Sequence, residues 1–234
     1  YGDILSQLKP EERIVVTNRG GDQPRLWVGN LVDAPNRSHL SVELMKSDLN
    51  QFRQNKITRD QLIKRIKVVN AQAVDEVAAD LELLSTIFNR LYRPDLSKTY
   101  FTEGIYYERL KDFGVIYYMN MFSATRNFNG LYDMPTIGLI DLNQDERDKK
   151  AKELYPAFEK ELKENVIEYG RTIKSLKDDE NLIFNVKVTR CYNCKIPESL
   201  ELSIKGSVLK DYNAGKIDKN AALGKVSIKK GTEQ

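Results

Sequence analysis

YGDILSQLKPEERIVV at residues 1–16 lies without a gap on YGRTIKSLKDDENLIF at residues 169–184. The two stretches share Tyr1/Tyr169, Gly2/Gly170, Leu8/Leu176, Lys9/Lys177 and Glu12/Glu180. A second block, HLSVELMKSDLNQFRQNKITRDQLIKRIKVV at 39–69, lies on 199–229. It matches Leu40/Leu200, Ser47/Ser207, Leu49/Leu209, Lys56/Lys216 and Ile57/Ile217, with Phe52/Tyr212, Asn55/Gly215, Ile66/Val226 and Val68/Ile228 alike. Shared spacing reports shared architecture, so the chain reads as one module written twice. Tyr169-Gly170 closes a long helical stretch. Tyr1 is therefore expected near a helix C-terminus, with that helix removed upstream by signal processing, trimming of the expressed chain or proteolysis.

Working outward from these blocks, RIVVT at 13–17 and RLWVGNLV at 25–32 read as strands joined by the turn-rich NRGGDQP. HLSVELM at 39–45 is the next strand, with Leu40, Val42 and Leu44 on one face. Ser47 is expected to cap a short helix, DLNQFRQN, whose Leu49 and Phe52 point inward. Thr58 with Gln61 is a capping-box signature for a second helix, RDQLIKR, before strand IKVV. The second module repeats the order with NLIFNVKV, SLELSI, two short helices and KVSI. Asn55 and Gly215, the two residues most tolerant of positive φ, mark a left-handed helix end.

Between the modules, Ala73, Val77, Leu81, Leu84, Phe88 and Leu91 make a helical stripe over 70–91. FTEGIYYERLKDFGVIYYMNMF then reads as an aromatic β-hairpin with strands at 104–109 and 114–122. A polar loop leads to a helix bearing Leu154, Phe158, Leu162, Val166, Tyr169 and Ile173, where Pro156 kinks it or starts a new segment. The expected fold is α+β: two copies of a β-β-α-α-β module with mostly antiparallel sheet, joined by long helices and the hairpin. The segments are 1–70 (first module), 71–98 (connecting helix), 99–168 (hairpin and long helix) and 169–234 (second module). The two modules are expected to associate tightly, because about 65 residues alone leave a thin core.

Composition narrows the chemistry. Lys+Arg 37 against Asp+Glu 34 leaves +3, with the signs mixed along the chain. That argues against nucleic acid, whose binders show a basic excess or stripe. The densest basic spots, Lys64-Arg65-Ile66-Lys67 and Lys225 to Lys230, read as solvated strand flanks. The recurring Lys56-Ile57 and Lys216-Ile217 read as structural, an apolar plug beside a charge that offsets a helix end. No apolar run reaches the roughly 20 residues a membrane span needs. Gly20-Gly21 lacks the Gly-Lys-Ser/Thr of a phosphate cradle. The single His39 leaves Ser–His and Cys–His catalysis without support. Cys191 and Cys194 form half a zinc knuckle with no second half, and read as structural cysteines. The run Asp141-Leu-Asn143-Gln-Asp145 has calcium-loop spacing, but Glu146 and Lys152 occupy the positions that need Gly and Glu. Asn143 and Glu146 read instead as a capping box.

These exclusions leave no catalytic residue, metal or cofactor. They favour a non-catalytic binding or scaffold protein, with a protein partner or a second copy of the chain as its ligand. The expected contact surface is the hairpin: Tyr106, Tyr107, Tyr117 and Tyr118 with Glu103 and Glu108. Tyr106 and Tyr118 are expected on one face and Tyr107 and Tyr117 on the other, so one pair is core. The alternative is a carbohydrate or small-molecule site between the modules, with hydrolysis as a further option; separately, Glu103, Glu108 and Asp112 lie near the hairpin, where glycosidase-type paired acids would be sought. The missing start Met suggests an exported protein, secreted or periplasmic.

Overall fold

The β-branched run RIVVTN forms strand β1, Arg13–Asn18. It pairs with β2, Leu40–Met45, which leads into helices α1, Lys46–Arg53, and α2, Arg59–Arg65, and then strand β3, Lys67–Asn70. The computed structural model describes residues 8–18, 40–70, 79–110, 112–126, 130, 132–192 and 194–234. The expected strand at 25–32, Gly20-Gly21 and His39 lie outside them. The chain divides into two compact units, Tyr1–Glu76 and Val77–Gln234.

In the first unit the strands form an antiparallel sheet in the order β1-β2-β3. Val16, Val42 and Val68 stand opposite one another across it. The Thr58–Gln61 capping box opens α2 as its sequence predicts. Ser47 does not cap α1. The helix begins two residues earlier, after Met45, with no side-chain cap. The preceding chain crosses its first turn, so Lys46 and Ser47 donate to the carbonyls of Glu12 and Pro10, both at 2.9 Å. Backbone acceptors thus satisfy the orphan N–H groups that Ser47 was expected to serve. Asn55 lies between the helices at φ 55°. Phe52 is exposed, not inward.

The second unit contains helix α3, Ala79–Leu91, and the hairpin strands β4, Phe101–Leu110, and β5, Gly114–Phe122. Three short strands follow: β6, Thr125–Arg126; β7, Tyr132–Met134; and β8, Gly138–Leu142. The long helix α4 spans Gln144–Gly170. The unit closes with β9, Asn181–Val188; β10, Ser199–Lys205; α5, Gly206–Asn213; α6, Lys219–Gly224; and β11, Ser227–Lys230. The main sheet runs β11-β10-β9-β5-β4, antiparallel except for the parallel pair β5/β9. A parallel pair needs a crossover, and the chain through α4 supplies it. Gly114, at φ 135°, opens β5 where a Cβ would lie 2.0 Å from the Asn181 carbonyl oxygen.

Three expectations change. Asn70 belongs to β3, and the described part of the connecting helix begins at Ala79, leaving Ala73 and Val77 outside the described residues. The polar loop before α4 contains the small antiparallel sheet β6-β7-β8. Pro156 does not start a new segment, because α4 runs through it without a break. A helix-interior proline costs about 3 kcal/mol. Burial of Ala151, Tyr155, Phe158, Leu162 and Val166 outweighs that, since each large apolar side chain contributes about 1.5–3 kcal/mol. The Asn143–Glu146 capping box opens α4 as expected.

The core lies on the sheet face shared with α3 and α4. Tyr107, Tyr117, Phe184, Leu202 and Ile228 occupy successive strands at one level of the sheet. Phe88 of α3 packs on Phe184 with ring centroids 4.6 Å apart, and Tyr117 stacks on it at 5.0 Å. Phe158 of α4 stacks on Tyr100 at 4.7 Å. No described helix is long and apolar enough to cross a membrane.

Candidate functional site

Strand alternation splits the hairpin tyrosines as expected. Tyr107 and Tyr117 face the core. Tyr117 has no exposed surface, and its hydroxyl donates to the Leu81 carbonyl at 2.9 Å. Burial raises the Tyr117 hydroxyl well above the ordinary range. Burial, then the neighbouring Glu82 carboxylate, raises Tyr107 as well.

Tyr106 and Tyr118 stand on the opposite face, half-buried and stacked with ring centroids 4.9 Å apart. Their level continues across all five strands as Tyr106, Tyr118, Asn185, Glu201 and Lys229. The next level reads Glu108, Ile116, Ile183, Ser203 and Ser227. Apart from Glu108, the face is thus aromatic and apolar at β4 and β5, and it is polar and charged at β10 and β11. Between these rows and exposed Phe113 lies a trough of about 380 Å³. Lys229 pairs with Glu201 at 2.9 Å. Glu108 is buried and accepts from the Tyr118 hydroxyl at 3.4 Å. Glu103 is exposed beside the irregularity between Thr102 and Ile105, away from these rows.

A buried acid lies under the hairpin's turn end, at a position that the repeat alignment marks only as a shared Glu12/Glu180. Glu180 is 2% exposed; it accepts from Arg109 at 2.6 Å and from the Lys177 N–H at 2.8 Å. Only the β5/β9 pairing brings Arg109 to Glu180, and nothing local in the chain announces a parallel neighbour. Asp80 is a second polar anchor. Burial pushes its carboxyl up, but hydrogen bonds from Ser175, Lys174 and Leu81 outweigh that and hold it below 3.8.

Cys191 and Cys194 are bridged. With Asp148 they form a group of metal-type donors within 4.8 Å. The chemistry is already committed: the sulfurs bond to each other, and Asp148 accepts from Gln144 at 2.7 Å and pairs with Arg147. Comparison with known proteins returns no matching family model, no matching curated protein and no matching solved structure.

Proposed function

We propose that the chain is a non-catalytic binding or scaffold protein that engages a polypeptide partner through the outer face of the five-stranded sheet. The observation that carries this reading is the row Tyr106, Tyr118, Asn185, Glu201 and Lys229. Aromatic rings at one end and an ion pair at the other give a surface both area and orientation. The contact residues narrow to Tyr106, Tyr118 and Glu108, because Tyr107 and Tyr117 belong to the core and Glu103 stands apart. Two further parts of the reading rest on separate support. The cystine favours an oxidising compartment, hence action outside the cytoplasm. A duplicated module is supported by strand register: Arg13↔Met45 and Leu40↔Asn70 take the aligned forms Asn181↔Lys205 and Leu200↔Lys230.

Selection of a displayed peptide library on the wild-type chain tests the reading. Enriched peptides should lose binding to the Tyr106→Ser/Tyr118→Ser double variant, and charge-bearing ones should respond to Lys229→Glu. Enrichment indifferent to all three substitutions would place the contact elsewhere. A glycan-array response that these substitutions abolish would replace the polypeptide with a saccharide.

A further inference from the structure

The first unit buries no apolar side chain among its described residues; those it buries are Glu43 and Lys46. Val16 and Val68 are 61% and 63% exposed, flanking Val42 at one level of the sheet. Ile63 and Phe52, on the two helices between β2 and β3, are exposed as well. A row of exposed apolar residues across one level of a sheet marks an interaction surface. The aligned residues of the second unit identify what fits it. Phe184, Leu202 and Ile228 hold the level of Val16, Val42 and Val68, and Phe184 and Leu202 are fully buried. The cover includes α4, which presents Phe158, Leu162 and Val166 at successive turns. Acids on α4 fix its seat: Glu164 pairs with Lys219 at 3.4 Å, Glu159 with Lys230 at 2.8 Å, and Glu168 accepts from Tyr212 at 3.0 Å.

We infer that the Val16–Val42–Val68 face of the first unit docks an amphipathic helix of α4-like chemistry carried by a partner protein. That helix has apolar residues at i, i+4 and i+8 and a flanking acid. One of the three anchors keeps its charge in the first unit, while Asn70 stands for Lys230 and Phe52 for Tyr212. Arg59 holds the position aligned with Lys219, is exposed, and makes no ion pair among the described residues. It therefore meets an acid at the position of Glu164. The inference rests on the duplicated-module reading, and its test is separable from it.

The probe is a fluorescent peptide with the sequence of residues 144–170, titrated into the full chain with its disulfide intact. Saturable binding is expected. Val68→Asp and Arg59→Glu, both surface changes whose folding circular dichroism verifies, should each weaken it about tenfold or more. A peptide carrying Lys in place of Glu164 should bind Arg59→Glu better than wild type, which separates docking here from exchange with α4 in the second unit. Reaction of Val68→Cys with a maleimide reports on the free face: rapid labelling, blocked by peptide, is expected. Binding indifferent to both substitutions would overturn the proposal. So would a Val68→Cys thiol already protected in the free chain, because the face would then be covered by the chain itself. Neither outcome would disturb the register match on which the module reading stands.

Discussion

The two β-β-α-α-β stretches of this chain make the same local bonds and bury different amounts. Ser47 donates to Pro10 at 2.9 Å, and Ser207 to Asp178 at 3.0 Å. Lys56 donates to Gln51, and Lys216 to Asp211, both at 2.9 Å. Leu62 closes on Thr58, and Ala222 on Asp218. Among the described residues, however, every core residue belongs to the second unit, where α3, α4 and the hairpin adjoin the stretch. Turns and capping boxes follow from neighbours a few residues away; the Ser47–Pro10 and Ser207–Asp178 bonds and the strand registers link residues further apart, but still within each stretch. A core follows from what is laid across the sheet. The comparison thus separates local specification from tertiary stabilisation within one chain.

The largest break in that comparison is Phe184→Ala set against Val16→Ala. Phe184 touches Phe88 and Tyr117 and has no exposed surface. Its truncation should cost about 3–5 kcal/mol in urea unfolding. Val16→Ala at the aligned position should cost under about 0.5 kcal/mol in the free chain. Equal costs would mean that the first unit has a core of its own.

Glu180 and Glu12 sharpen the same contrast. Both accept from the N–H of the lysine three residues earlier, Glu12 at 2.7 Å. Only Glu180 is buried against Arg109. Glu180→Gln should destabilise the chain by about 2 kcal/mol, because Arg109 is left half-buried without its counter-charge. Glu12→Gln should change stability by less than about 0.5 kcal/mol. Arg109→Met combined with Glu180→Gln should recover part of the loss, since a matched neutral pair replaces a broken ionic one.

Asp80 gives a smaller, pH-dependent difference. Its hydrogen bonds to Ser175, Lys174 and Leu81 hold the folded carboxyl below 3.8. A depressed pKa contributes stability that is present above the unfolded value and lost as pH falls through the folded one. Asp80→Asn should therefore cost about 1 kcal/mol at neutral pH, discounted for its exposure, and less as pH falls below the ordinary carboxylate range. A wild-type-to-variant difference that stays constant across that range would remove the carboxylate from the account.

How much of this was legible in the sequence follows the same division. The capping boxes at Thr58 and Asn143, the hairpin and the burial of Tyr117 depend on short-range pattern or strand alternation, and reading the chain finds them. Phe52 was expected inside with Leu49 from helical spacing, yet spacing cannot report what is laid across that helix. Lys46 aligns with Gly206, where a Cβ would meet the Lys177 carbonyl at 2.1 Å. That closeness is tertiary, and no property of the residue type at Lys46 foretells it. The outer-face row was half legible: Tyr106 and Tyr118 came from alternation, whereas Asn185, Glu201 and Lys229 joined them only through the parallel β5/β9 register.

The smallest effect lies where the two stretches are most alike. Asn55 at φ 55° and Gly215 at φ 70° occupy the same left-handed position between their helices. A Cβ at Gly215 meets nothing within 4 Å, so sterics with neighbours play no part there. Backbone preference alone decides the outcome. Asn tolerates this region far better than a β-branched residue, whose side chain crowds its own carbonyl. Gly215→Asn should then be nearly neutral, within about 0.5 kcal/mol, while Gly215→Val should cost about 1–2 kcal/mol. The same Val at Asn55 should cost a similar amount even though the described residues of the first unit bury no apolar side chain, because the strain is local. Thermal unfolding of the second-unit variants and hydrogen exchange at Lys56 and Ile57 for the first would measure it. A large penalty at Gly215 with none at Asn55 would show that this turn, too, draws its conformation from tertiary packing.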